Sequence, residues 1–438
     1  MMEIRDPIHG PIDVSAAEKA VIEHPLVQRL RRIRQLGFSE STFPGATHTR
    51  FLHSLGTMHL AGRAFDAVAH DLSFVSAADL ARSRATLRLA ALLHDLGHPP
   101  FSHSGEALLP RFSELKMPSW EEEDRPLTHE EMSNVLLMRS SIKDVIHSAF
   151  ANDGVDPLHV ALVLSHKVKT DDPFRFGGLT ILPLLQQLVV GELDVDRMDY
   201  LSRDSYFTGV AYGRFEQDWL LSNLGAHQVG DRMCLALDSR ALFAFEDFLL
   251  SRYHMFAMVY SHHRTMAYQY MLARFLAEGG NDVRMPGDLT TFAQCDDDWL
   301  VSKMRHSEDQ WARRIVEQRP LVLALEAWED DAIALTKVRK ALESDLPNAC
   351  YWLDESIEVS RYDPTLRTPS SETPPLMIRV SHRATRQKVL PIGDCTDLFT
   401  RPSGKRHVLR LYCDEADMTK VEGALDRALP TLRGKDRG

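Results

Sequence analysis

Apolar residues recur three and four positions apart through much of the chain, with short polar breaks between the runs. The first run spans 15–37 and stops at Gly37. Pro25 lies inside it and is expected to begin a new helix, since proline fits the first turn of a helix but not its interior. The same spacing predicts helices over 53–72, 78–97, 129–150, 181–205, 241–279, 296–318 and 320–344. Gly97 is the expected stop of the 78–97 helix. The helix over 241–279 is the longest and is apolar around much of its circumference, which favours self-association into a homo-oligomer. The pattern changes near residue 356: "PSSETPP" (369–375) reads as a linker, "LMIRVSH" and "HVLRLYCD" read as strands, and "MTKVEGALDRAL" reads as a helix. The expected fold is therefore mainly α with a small C-terminal α+β subdomain. Its expected divisions are a catalytic core over 1–280, a helical extension over 281–368 and the subdomain over 369–438.

Composition narrows the function. With 438 residues, 44% of them hydrophobic, the chain can bury a substantial core and more than one domain. A net charge of −11 argues against nucleic acid as the main partner, because such binders carry a basic footprint. The opening "MMEIRDPIHG" has neither a signal-peptide core nor a transit pattern, and no run of 18 apolar residues offers a membrane span. Cysteines at 234, 295, 350, 395 and 413 are odd in number and form no CxxC, which excludes zinc-finger chemistry and fits a reduced, cytoplasmic protein.

The chemistry concentrates in "ALLHDLGHPPFSH" (91–103). His94 and Asp95 are adjacent, so on a helix their side chains point about 100° apart. They can meet at one ion only if it lies at the helix flank and other elements complete the shell. By itself, such a pair at a helix end is ordinarily a cap or a surface pair. His53, in "THTRFLHSLG", and Asp196, in "LDVDRMDYLSRD", supply the missing partners. Two imidazoles and two carboxylates suit a divalent manganese, iron, magnesium, zinc or nickel ion. Ligands from three helices, with positions left for water and substrate, form a catalytic layout rather than a structural one.

The order His53, His94–Asp95, Asp196 resembles the HD-domain phosphohydrolase superfamily. The words "DPIHGPI", "QRLRRIRQLG", "FPGATHTRFLHSLG", "LLHDLGHPPFSH", "THEE" and "DVDRMDYLSRDSYFTG" resemble its deoxynucleoside triphosphate triphosphohydrolase branch, over about residues 4–275. The resemblance implies an HD-domain helical core that hydrolyses a deoxynucleoside triphosphate (dNTP) to deoxynucleoside and triphosphate. It implies a divalent metal ion on His53, His94, Asp95 and Asp196, and an acid–base relay of His98, Glu106 and His129. Glu106 stands where the family usually has aspartate. His103 falls where a histidine faces the leaving oxygen. Arg50 and Arg197 match phosphate contacts, Gln35 and Asp204 match contacts to the sugar 3′-hydroxyl, and Tyr200 matches the ring beneath the deoxyribose. Tyr268, with His262 and His263, is expected either to line the base pocket or to pack on a helix face. Glu23, Gln28 and Arg31 correspond to nucleotide-effector contacts, with Glu23 in place of an aspartate. His48, His59 and His70 match no ligand position and are expected to pack or to lie at the surface; Asp296–Asp298 is expected to be a solvated helix start. The alternatives are another HD-type nucleotide phosphohydrolase or phosphodiesterase, or a nucleotide-sensing scaffold. The cyclic-dinucleotide branch would carry a Gly-Tyr-Pro signature downstream, and this chain has none.

Overall fold

The computed structural model describes residues 2–115, 124–168, 170–279, 283–328, 340, 344, 351–359, 376–380, 388–396 and 406–428. Its amino terminus is an antiparallel ribbon, Met2–Asp6 against Gly10–Val14, with Asp6 opposite Gly10. The helix Ala16–Ile22 follows, opened by a capping box between Ser15 and Glu18. Pro25 then starts a new helix, Pro25–Arg29, as its missing amide hydrogen requires.

The core is helical. Arg50–Val68 lies between Ala77–Leu93 and Val195–Thr208, and its inward face is lined by Phe51, Leu55, Met58, Ala61 and Phe65, all buried. The 78–97 prediction is right in place but not in its end. The helix stops at Leu93 with His94 as its cap, so the HD pair leaves the helix as the chain turns. Gly97 is small for a different reason: a Cβ there would lie 2.3 Å from the His129 carbonyl oxygen, where the helix His129–Arg139 crosses.

Several predicted helices are broken. The 129–150 run is two helices, His129–Arg139 and Ile142–Ala149. The 181–205 run is Leu182–Val189 and Val195–Thr208, the second capped by Asp194, whose side chain accepts from the Arg197 amide. The 241–279 run is also interrupted. Leu242–Met255 passes into a π-turn over Phe256–Tyr260, and His262 then caps a new helix, His263–Arg274. Part of its apolar circumference faces this chain's own core, with Phe245, Phe248, Met271 and Leu272 buried, while Phe243, Phe256 and Met258 are exposed. The 296–318 run is Asp297–Arg305 and Gln310–Val316. Asp296 and Asp297 are buried rather than solvated.

Strands enter where helix was expected. Val322–Trp328, inside the predicted 320–344 helix, pairs with Arg406–Cys413; residues 329–339 lie outside the described residues. Arg406–Cys413 is the middle strand of three, with Tyr351–Val359 on its other side. A second sheet pairs Leu224–Val229 with Arg232–Asp238, and Met377–Val380 joins Arg232–Asp238 in parallel. Both sheets therefore combine strands from before and after residue 369. The tail helix lies at Met418–Ala428; the linker "PSSETPP" falls outside the described residues. No described helix is long and apolar enough to cross a membrane.

Candidate active site

The three helical elements named above converge on one cavity of about 440 Å³. His53 enters from the first turn of Arg50–Val68, His94 and Asp95 from the end of Ala77–Leu93, and Asp196 from the first turn of Val195–Thr208. His53 Nε2 lies 2.9 Å from Asp196 Oδ1 and 3.3 Å from His94 Nε2. Asp95 completes the group, with Oδ1 3.3 Å from His94 Nε2. Donor atoms of His53, His94 and Asp196 all fall within 4.8 Å of one another, a spacing that fits a divalent ion.

The ring orientations suit that use. His94 Nδ1 faces the Ala91 carbonyl at 2.7 Å, and His53 Nδ1 faces Asp199 Oδ2 at 2.7 Å. In each ring Nδ1 faces an acceptor outside the cavity and Nε2 is directed into it, where it would be available to an ion. Asp199 is fully buried. Burial opposes its charge, yet the Arg203 guanidinium holds its carboxyl well below the usual carboxylate range. Arg50 spans from Asp95 Oδ2 to Ser102 Oγ, the latter at 2.8 Å.

A second group lines the cavity wall beside the first, with His98 Nε2 3.4 Å from Asp95 Oδ1. His129 Nδ1 and His103 Nδ1 both bond Glu106 Oε1, at 2.7 and 3.1 Å. Burial would raise Glu106, but these two hydrogen bonds outweigh it and hold the carboxyl at about 2. An ionised Glu106 thus fixes two imidazoles with their Nε2 atoms free. His98 is not among its partners: it stacks on His129 with ring centroids 3.9 Å apart. Burial, reinforced by Arg50, holds His98 well below the usual imidazole range. Donor atoms of His98, His103 and His129 also cluster within 4.8 Å.

His103 reaches this wall through a left-handed turn, with φ of 58° at both Phe101 and Ser102. Buried Asp297 holds that turn by accepting from the amides of Phe101 at 2.8 Å and Arg34 at 3.0 Å. Arg29 holds the preceding loop, donating to the carbonyls of His98 at 2.6 Å and Cys295 at 2.7 Å.

Gln35, Arg50, Arg197, Tyr200 and Asp204 all line the cavity. The buried Gln35 Oε1 has no hydrogen-bond partner among the described residues. Arg197 is anchored on Asp194 at 2.6 Å. Both Asp204 oxygens are engaged, by His48 Nε2 at 2.7 Å and by the Tyr260 hydroxyl at 2.8 Å. His48 therefore belongs to the site's support.

Tyr268 is not in the wall: it is buried against Phe38, with ring centroids 5.4 Å apart. His262 and His263 are also outside the wall, their rings tilted against each other with centroids 4.3 Å apart. Glu23, Gln28 and Arg31 are not in the wall either. Arg31 Nε bonds Gln28 Oε1 at 2.8 Å, and Glu23 pairs with Lys19 at 3.5 Å. Sequence reasoning missed Arg252 and Tyr260, which line the cavity, and Asp6, His9, Asp199 and Arg203 behind it. The words "DPIHG" and "DRMDYLSRD" contain those last four, but nothing in their spacing shows that they meet.

Comparison with known proteins agrees with this arrangement. A model of the HD domain matches residues 50–204, and one of an HD-associated region matches 225–337. An uncharacterised protein of Methanocaldococcus jannaschii is 30% identical over 315 residues, which are 72% of this chain and 57% of that protein. The human deoxynucleoside triphosphate triphosphohydrolase SAMHD1 is 32% identical over 224 residues, 48% of this chain and 34% of that protein. The chain thus spans little more than half the length of the first relative and about a third of the second. A solved structure of a hypothetical protein from Aquifex aeolicus superposes with a TM-score of 0.72 at 25% identity, covering 97% of this chain and 99% of that one. With the paired histidines and aspartates on three converging helices and both regions matched in order, the chain carries an HD domain followed by an HD-associated region.

Proposed function

We propose that the protein hydrolyses deoxynucleoside triphosphates at the α-phosphorus, releasing deoxynucleoside and triphosphate. The observation that carries this reading is the pairing, within one cavity, of the His53–His94–Asp95–Asp196 group with the Glu106-bound His103 and His129. A divalent ion held by the first group would act as a Lewis acid on a phosphoryl oxygen and would acidify water.

The remaining work falls to side chains of the wall. Arg50, Arg197 and Arg252 line it and offset the charge of the phosphates, so that a water oxygen can approach phosphorus. As the new P–O bond forms, the bond to the 5′-oxygen breaks and the triphosphate keeps the water oxygen. His103, oriented by Glu106, donates its proton to the departing 5′-oxygen, a step worth about 10²–10⁴ in rate. Tyr200 presents its ring beside His53, with centroids 6.5 Å apart, where a deoxyribose fits and a 2′-hydroxyl finds no partner. The free Gln35 Oε1 is available to a hydroxyl or amide donor of the substrate. A nucleotide effector near Glu23, Gln28 and Arg31, a homo-oligomeric state and a cytoplasmic location belong to the same proposal.

The test is direct. Protein loaded with manganese is incubated with each of the four dNTPs, singly and mixed, and products are resolved by ion-exchange chromatography. Triphosphate with deoxynucleoside is the expected pair. Release of orthophosphate or pyrophosphate instead would place the cleavage elsewhere and end this reading.

A further inference from the structure

Behind the metal-facing wall lies a buried chain of charged and polar groups that touches neither the cavity nor solvent. Asp199 stands at its centre. Its Oδ2 takes the His53 Nδ1 hydrogen at 2.7 Å, and its Oδ1 lies 2.6 Å from His9 Nε2. Arg203 clamps the same carboxylate, with Nε 2.8 Å from Oδ2 and Nη2 2.8 Å from Oδ1. Arg203 also reaches Asp6, at 2.9 and 3.3 Å. Asp6 Oδ1 in turn accepts the amides of Ile8 at 2.8 Å and His9 at 2.9 Å, which shapes the ribbon turn that presents His9. The His9 side chain is 3% exposed and Asp199 is fully buried.

The close approach is built into the helix that carries His53. A Cβ at Gly56 would lie 1.9 Å from Asp199 Oδ1 and 2.4 Å from Arg203 Nη2. Only a residue without a side chain admits the carboxylate there.

We propose that His9 is a positioning residue for the metal site: with Arg203 it fixes the Asp199 carboxylate, and through it the direction of the His53 ring. Asp199 has two oxygens and three partners around them. Losing the His9 donor leaves Oδ1 held by Arg203 Nη2 at 2.8 Å without its second partner. A carboxylate gripped by Arg203 alone is less firmly fixed, and so is the His53 ring that it orients. The amino-terminal ribbon is in this sense part of the metal site, although none of its residues lines the cavity. Outer partners of this kind typically set metal affinity by about 10–100-fold.

The inference rests on the metal reading of the site, and the experiment separates the two. Manganese(II) is titrated into metal-free, full-length protein, and free manganese is followed by electron paramagnetic resonance. Wild-type protein that binds no manganese would end the metal reading, and this inference with it, before any variant is compared. With wild-type binding in hand, three variants at position 9 decide. His9→Ala is expected to weaken manganese tenfold or more. His9→Gln keeps an N–H that can reach Asp199 and should recover most of the affinity. His9→Phe fills the volume without a donor and should not. Affinity restored by His9→Phe but not by His9→Gln would make the role one of packing and overturn the proposal. So would an alanine variant within twofold of wild type. If the alanine variant does not fold, Asp199→Asn, which preserves shape, must lose tenfold or more at unchanged helix content by circular dichroism. An Asp199→Asn protein with wild-type affinity would equally refute it.

Discussion

Arg29 offers a sharp test of how the fold holds the site. Its side chain is buried, and it donates from Nε to the Cys295 carbonyl at 2.7 Å and from Nη2 to the His98 carbonyl at 2.6 Å. Its guanidinium also lies 4.5 Å from the centroid of the Phe292 ring. Burial lowers its pKa to about 10, with Cys295 and Asp297 opposing, so it remains charged at neutral pH. Replacing it with methionine keeps most of the stem and the volume. Three charge-assisted hydrogen bonds disappear, the two short ones each worth about 1.5–3 kcal/mol and a long one from Nη1 to the Leu96 carbonyl at 3.4 Å worth less, while the cost of burying a charge is relieved. The expected balance is a loss of about 3–5 kcal/mol, because the carbonyls of His98 and Cys295 stay buried without a donor. Arg29→Lys keeps the charge but reaches fewer acceptors and should fall between the two. Urea unfolding followed by tryptophan fluorescence gives the stabilities. Manganese titration of the folded protein then asks whether the freed His98 loop also loosens His94 and Asp95. A loss below about 1 kcal/mol for Arg29→Met would refute the view that this residue ties the HD turn to the Cys295 segment.

Four further outcomes are expected. Asp196→Ala should lose metal, measured by elemental analysis, together with hydrolysis, at unchanged helix content; full metal and full activity would remove Asp196 from the ligand set. His103→Ala should keep metal and substrate binding but lose about two orders of magnitude or more in kcat, while a lowered melting temperature at unchanged kcat would reduce it to a structural residue. Tyr200→Ala should narrow the preference for deoxyribose over ribose, set by about 1–3 kcal/mol in the wild type, as competition between dGTP and GTP would show. Glu131→Gln tests the capping box of the His129 helix. Burial opposes the charge of Glu131, but hydrogen bonds from Arg125 and Lys167 lower its carboxyl to about 2. A depressed carboxylate stabilises above its unfolded pKa and loses that contribution as pH falls toward the folded one. The variant should therefore be less stable than wild type by about 1–2 kcal/mol at pH 7, after discounting for its exposed partners, and the gap should close between about pH 4 and 2. A gap that is constant with pH would assign the effect to lost capping geometry alone.

Residue type and spacing along the chain carried the helical core and the ligand set. His53, His94, Asp95 and Asp196 were legible as candidate ligands because the order of these imidazoles and carboxylates, with the words around them, resembles the HD-domain pattern; the His94–Asp95 pair by itself would have read as a helix cap. The break at Pro25 was legible because proline cannot donate within a helix. The break at Ser261–His262 was not. The helices on either side of it both bury apolar residues, so the 3.6-residue pattern runs on while the backbone stops. Val322–Trp328 failed for the converse reason: leucine and alanine favour helix locally, and only pairing with Arg406–Cys413 makes the segment a strand. The acidic run at 296–298 does start a helix and Asp298 is exposed, but Asp297 is buried because its partners, the Arg34 and Phe101 amides, lie some two hundred residues away in sequence. Tyr268 and Tyr260 look equally suited to a cavity wall; the one packs on Phe38 and the other reaches Asp204. What the sequence by itself determined is which side chains are candidates to hold a metal and move a proton. Only the tertiary structure decided which groups aim them, because contacts such as His9 to Asp199, 190 residues apart, are set by how helices and ribbon pack and leave no periodic trace along the chain.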